Sequence, residues 1–558
     1  MTNALSSIRL PGRARPGGAQ VWLALSFGIA ALIGLPVLVV LSSVLQPAGE
    51  VWRHLVDTVL IDYVANSLLL MLGVAVGTLC LGVSTAWLTA MFEFSGRRTF
   101  EWALLLPLAM PAYIIAFTYG GLLETAGPVQ TTLRAWSGWA VGEYWFPNVR
   151  SRGGAVLMLS LVLYPYVYML ARTALLAQSV CVLEVSRSLG CGMTRTFFRV
   201  ALPLARPAIV AGLSLALMET LADYGTVQYL GVATFTTGIF RTWFGLDDPS
   251  AAAQLASVLL GFIFVVMAIE YASRKRARFY HTTGKYAELP RFRLAGSMHW
   301  LAVLICLLPL VFGFLVPVGQ LAIWALQSIS RFWNPDFLWL VWSSLWLAAV
   351  TAGLAVVPAL ILAYGQRLLT AVHLPARIAS MGYAIPGAVV AVGVMIPFGW
   401  LDGLINQWLR PVGMNPGLVF SGTFFALVFA YIVRFLSVSL QSAETGLAKI
   451  NPNMDAAAGS LGLGPRRILT RIHLPVLRGT MLTAFLLVFV DVLKELPATL
   501  ILRPFNFNTL AVRAYELASD EILREAAGSG IAIVLAGIIP VVALSKTIAR
   551  SRPGTRPE

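Results

Sequence analysis

The chain has 558 residues, 58% of them hydrophobic and 12% charged, about half the charged share of a soluble globular domain. That composition excludes a soluble enzyme or binding module and describes a membrane protein. The surplus of cations, 40 Lys and Arg against 25 Asp and Glu, is spread over the gaps between apolar runs, so the expected partner is the lipid bilayer and not nucleic acid.

Apolar runs able to cross roughly 30 Å of hydrocarbon as helices fall near 21–45, 63–90, 100–123, 154–178, 206–224, 252–273, 299–326, 338–364, 376–400, 417–442, 477–500 and 528–547. The expected fold class is therefore an all-α integral membrane protein of about twelve transmembrane helices. The first run follows "RLPGRARPGG" and exceeds the apolar core of a signal peptide, so it reads as an uncleaved span. Numbering the gaps alternately from an inside N-terminus puts 27 Lys/Arg inside and 10 outside, with Arg172, Arg434 and Lys494 within spans. This positive-inside bias places both termini, and the basic stretch 274–293, in the cytoplasm.

Along the first half, Pro107 and Pro111 mark a kink in the third span, and Pro386 marks its counterpart in the second half. The next inside gap carries "LEVSRSLGCGMTRTFFRVALP" (183–203), which returns as "DAAAGSLGLGPRRILTRIHLP" (455–475) at an offset of 272. Ser188, Gly190, Arg195, Arg199 and Pro203 coincide with Ser460, Gly462, Arg467, Arg471 and Pro475, and further on Arg241 coincides with Arg513. An echo of "NSLLLMLGVAVG" at 66 appears as "SSLWLAAVTAG" at 343. The chain thus reads as two tandem six-helix repeats, 1–278 and 279–558, sharing one orientation in the membrane because six is even. In each repeated gap a short helix meets a glycine turn and a second short helix bears two arginines four apart on one face. Pro203 or Pro475 then stops that helix and opens the next span. The expected product is a cytoplasmic knob with a cationic face.

Sixteen residues beyond each of these prolines, roughly 24 Å along a helix, stand Glu219 and Asp491, followed by Asp223 and Glu495, with Lys494 between the second pair. Four carboxylates facing lipid would be untenable, since each charge at mid-bilayer costs about 2.5 to 3.5 kcal/mol on insertion scales. Two readings follow: the acids line a translocation path, or they form solvated or salt-bridged helix ends. Arg241 with Trp243, and Arg513 with Tyr515, precede the sixth span of each half and read as an outer receptor face or as interfacial anchors. Arg434 is expected to point into the bundle. Cys80, Cys181, Cys191 and Cys306 lack metal or redox spacing, and the five histidines are scattered, so neither a stable metal site nor a bound cofactor is expected.

The repeated loops resemble the EAA loop of ABC importer permeases. In that motif Glu184 and Gly190 are retained in the loop 184–203, with Val185 and Ser186 in place of the two alanines; the loop 456–475 has Ala456 in place of the glutamate, preceded by Asp455. The stretches 106–134, 217–245 and 491–521 are similar to the fused permeases of ferric iron importers. The resemblance implies a type I importer (MetI-like) permease fold in a bacterial inner membrane. It also implies two copies of an ATPase subunit docked on the knobs, with ATP and Mg held by those subunits, and a periplasmic or lipid-anchored substrate-binding protein outside. Thiamine or another small solute is the alternative cargo within that family. "TTGKY" at 282–286 lacks the first glycine of a phosphate loop, so the chain itself is not expected to be an enzyme. The rival class is a proton- or sodium-coupled carrier with 6 plus 6 spans.

Overall fold

Within hydrocarbon every backbone N–H and C=O must be satisfied inside the protein, which leaves helices as the solution for isolated apolar runs. The computed structural model describes residues 16–47, 49–176, 188, 192–275 and 291–550. Among them, eleven helices are long and apolar enough to cross a membrane. A twelfth span is a broken pair, Arg97–Ala109 and Ala112–Ser137, bent by 89°. The break falls at the expected kink: Pro107 and Pro111 cannot donate to the helix ladder, and Pro111 is extended (φ −60°, ψ 141°). In the second half the expected run 376–400 divides at the same place, into His373–Ser380 and a span beginning at Gly387, just after Pro386. Phe92–Glu93 pairs in parallel with Phe292–Arg293, the one strand pair among the described residues.

Two compact units divide the chain: Met1–Val39, Leu345–Tyr383 and Gly393–Leu493 form one, and Val40–Ser344, Ala384–Val392 and Lys494–Glu558 the other. Each therefore draws on both sequence halves. In the larger unit, helices Leu60–Met91 and Arg152–Leu176 pack at close range because small residues line the seam. A Cβ on Gly77 would lie 2.2 Å from Ser160 Oγ, so only glycine lets the two backbones approach this far. Tyr164, fully buried, donates its hydroxyl to the Leu104 carbonyl at 3.0 Å, which satisfies the polar end of an otherwise apolar ring. In the smaller unit, Phe424–Ala448 packs on Leu474–Leu493. Arg434 is buried there, as expected, with its guanidinium 5.3 Å from the Phe435 ring centroid.

The two helices that echo each other in sequence, Leu60–Met91 and Pro335–Leu368, have 32 and 34 residues, roughly 48 and 51 Å at 1.5 Å per residue. Both exceed the hydrocarbon thickness, an excess that tilt or projection beyond it takes up.

The prolines of the knobs behave differently from expectation. Pro203 and Pro475 do not stop a helix; Met193–Ala222 and Pro465–Leu493 each run through as one helix. A π turn, Phe197–Ala201 or Leu469–His473, precedes each Leu-Pro, and the Leu202 and Leu474 amides bond five residues back, to Phe197 and Leu469. The same arrangement recurs at Val311–Leu315 ahead of Pro317. A proline lacks the N–H for a normal turn and its ring crowds the carbonyl four residues back; widening the preceding turn by one residue relieves both.

Candidate functional site

The 272-residue offset found in sequence is also a structural offset. Short helices start at Met193 and Pro465, π turns at Phe197 and Leu469, spans at Leu202 and Leu474, and further short helices at Gly225 and Pro497. In each copy the knob's cations face outward: Arg195, Arg199, Arg467 and Arg471 are all exposed, as are Pro203 and Pro475. Gly462 takes φ 79°, a left-handed conformation that a side chain would strain. Glu184 and Gly190 lie outside the described residues, as do Cys181 and Cys191.

What holds the two π turns differs. The first rests on an aromatic ladder: Phe197 lies 4.8 Å from Trp87, Trp87 6.0 Å from Phe92, and Phe92 6.2 Å from Phe292. Close by, alternating charges run from Arg172 to Glu101 (3.0 Å), on to Arg97, to Glu93 (3.0 Å) and to Arg291 (3.8 Å). Arg97 is 4% exposed, so these pairs compensate a buried cation. The second turn is held by polar groups. Asp455, in the first turn of helix Pro452–Ser460, accepts from Arg367 Nε at 2.6 Å and from His473 Nε2 at 2.6 Å. Arg367 also donates to the carbonyls of Leu447 (2.7 Å) and Ile450 (3.0 Å). Tyr364 donates to the Pro465 carbonyl at 3.0 Å, with the His473 and Trp22 rings edge-on to it, each at 5.3 Å.

The second acid of each pair has a local structural task. Helix Leu202–Ala222 ends in front of Asp223, whose ψ of 132° is extended. The Asp223 carboxylate then accepts from Thr226 Oγ1 (2.8 Å) and the Val227 amide (3.1 Å), capping the short helix Gly225–Tyr229. Glu495, 5% exposed and two residues past the end of Leu474–Leu493, accepts from the Ala498 amide (3.1 Å) and caps Pro497–Leu502. Its helical register with Asp491 is broken, so the i, i+4 spacing does not put that pair on one face. Glu219, Asp491 and Lys494 are half-buried near the same helix ends. Among the described residues, no three His, Cys, Asp or Glu side chains stand close enough to hold a metal ion; Cys80 and Cys306 are free thiols.

Arg241 is exposed and Trp243 half-buried in a π turn, Arg241–Gly245. Arg513 lines a cavity of about 320 Å³ together with Arg331, Asp336, Asn506, Asn508 and Glu525. Tyr515 turns inward, 5.8 Å from the Tyr224 ring, and burial pushes its phenol up. Arg150, which the sequence reading did not single out, bonds Glu124 (2.5 Å) and Glu521 (3.1 Å) and lies over the Tyr229 ring at 5.1 Å. Burial alone would lower its guanidinium, but Glu124, Tyr229 and Glu521 reverse that and hold it charged. Asp402 was also missed: 2% exposed, it accepts from the amides of Val419 (3.1 Å), Phe420 (2.8 Å) and Ser421 (2.8 Å) and from Ser421 Oγ (2.5 Å), fixing a loop. Neither residue has a sequence signal beyond being charged beside an apolar run.

Residues 79–279 match the family of binding-protein-dependent transport system inner membrane components. A Fe(3+)-transport system permease protein of Haemophilus influenzae, FbpB 2, is 27% identical over 554 residues, covering 95% of this chain and 99% of that protein. A putative ferric transport system permease protein of the same organism, FbpB 1, is 22% identical over 481 residues, 81% of this chain and 72% of its own length. The molybdenum transport system permease protein ModB of Escherichia coli is 29% identical over 206 residues, 35% of this chain and 87% of its own.

Proposed function

The chain belongs to the family of binding-protein-dependent transport system inner membrane components, and from that premise we propose that it is the fused permease of an ATP-driven importer of ferric iron. It is a multi-pass transport subunit and not an enzyme. The observation that carries the iron reading is length: the ferric relative aligns with both halves from end to end, whereas the molybdenum relative matches one stretch of 206 residues.

In this reading two copies of an ATPase subunit, carrying ATP and Mg, engage the knobs at 184–203 and 456–475, and a periplasmic or lipid-anchored binding protein delivers the cargo at the opposite face. The chain lies in a bacterial inner membrane with both termini cytoplasmic, and 1–278 and 279–558 act as its two halves. ATP-driven closure of the subunits rocks the halves between outward- and inward-open states. Ferric iron, a hard trivalent cation, favours carboxylate oxygen, which suits Glu219 and Asp491 as path-lining groups. Asp223 and Glu495 hold the helix breaks beside them, and Lys494 moderates the charge so that the metal is not trapped. Arg241, Trp243, Arg513 and Tyr515 belong to the face that receives the binding protein.

The test is uptake of radiolabelled ferric iron in a strain lacking the gene, complemented by the wild type and by the double variant Glu219→Gln, Asp491→Asn. Wild type restores uptake and the double variant lowers it about tenfold or more, a loss of roughly 1.4 kcal/mol in the path. Restoration of thiamine uptake without iron uptake would reassign the cargo.

A further inference from the structure

Asp455 stands one residue before the place where the resemblance put a carboxylate for an ATPase, yet its side chain turns toward the membrane helices. One oxygen takes the Arg367 Nε–H and the other the His473 Nε2–H, each at 2.6 Å, and His473 is 0% exposed. Arg367 reaches in the same direction, with two further donors on the Leu447 and Ile450 carbonyls just before the knob. One guanidinium thus holds the end of helix Phe424–Ala448, the loop after it and the first helix of the knob, and it comes from the last turn of the long helix Pro335–Leu368. On the other side of the knob, Arg466, Arg467 and Arg471 are exposed, and Leu461 is 81% exposed.

We infer that Asp455 is a positioning residue that ties the second knob to helix Pro335–Leu368 through Arg367 and His473, leaving the knob to meet its partner with cations and Leu461. The partner surface it fits is an apolar slot with an acidic rim; this clause rests on the importer reading, and the tether does not. The first copy cannot be built the same way, because at the 272 offset Leu183 stands for Asp455 and Ala201 for His473. Motion of the second knob is passed rigidly to one membrane helix by a planar, bidentate-capable group.

The tether is tested on the full-length chain in lipid nanodiscs, with trypsin as the probe of Arg466, Arg467 and Arg471. Asp455→Asn and Arg367→Met each raise the initial cleavage rate there about tenfold, and the double variant is no faster than the quicker single one, the mark of one shared interaction. Cleavage at Arg513 stays at the wild-type rate. Arg367→Lys, which keeps the charge but loses the fork, gives the same reading if Asp455→Asn does not accumulate. Unchanged cleavage in the single variants, or a double variant whose effects multiply to about a hundredfold, overturns the tether.

A second arm follows the ATPase subunit that co-purifies with the tagged wild-type chain. It is recovered equally with Asp455→Asn and lost with Arg467→Glu, Arg471→Glu, while iron uptake falls in both. Loss of the subunit from Asp455→Asn overturns the inference. A wild-type chain that binds no ATPase while the trypsin result holds refutes the importer reading and leaves the tether standing.

Discussion

Trp87 and Tyr364 stand at equivalent places near the ends of two long, sequence-related helices, Leu60–Met91 and Pro335–Leu368, and each holds a π turn of identical length in a different way. Trp87 does it with aromatic surface, against Phe197 and Phe92. Tyr364 does it with a hydroxyl on the Pro465 carbonyl and an edge to His473, inside a network completed by Arg367 and Asp455. Three residues on from each aromatic, the first helix has Ala90 and the second Arg367, and that exchange, together with Leu183 for Asp455 and Ala201 for His473, decides whether a polar clamp can form. An apolar hold is non-directional and tolerates sliding; a hydrogen-bonded one fixes orientation. The lesson is that backbone geometry was duplicated while the means of restraint was not.

The comparison is broken most forcefully at the first turn. Trp87→Ala removes the middle of the ladder and should destabilise the chain by about 3 kcal/mol, read as a lower apparent melting temperature in detergent. Amide exchange should quicken at 197–201 and stay unchanged at 469–473; equal loosening of both would mean that the two restraints are not independent. His473→Ala is expected to be milder, about 2 kcal/mol, since it opens a small cavity and takes one donor from Asp455. Its exchange signature should be the mirror image, confined to 452–475. Smallest is Gly462→Ala, at about 1 kcal/mol: space around the glycine is open, so only the left-handed backbone is strained. A melting temperature unchanged in Gly462→Ala would show that the knob's elbow relaxes freely.

The repeat was legible in the sequence because its signals are local: glycine at the elbow, arginines beyond it, proline at the base, all at one offset. The spans were legible because hydrocarbon demands long apolar runs, and so was the place of the break in the third, at Pro107 and Pro111, although not its size of 89°. The π turns were not legible. A proline was expected to end a helix, and only the three-dimensional helix shows that a wider turn absorbs it. The clamp was not legible either, since Arg367 lies 88 residues from Asp455 and has no counterpart in the first half to draw the eye. The acidic pairs were found by position, but the tasks of Asp223 and Glu495 depend on where the helices stop, which spacing alone does not fix.

A π turn carries one residue more than an ordinary turn needs, and in each knob that surplus sits in the turn that bears Arg199 or Arg471, just ahead of the span. Deleting a single residue from Phe197–Ala201 would restore regular winding and leave everything after it on the face it now occupies, because five residues in the wide turn sweep about the arc that four sweep in an α-helix. Glu219 would then keep its neighbour, whereas a deletion in the regular winding after Leu202 would turn it by roughly 100° about the helix axis. The wide turns are therefore slack in the winding, able to lose a residue without rotating the helix beyond them.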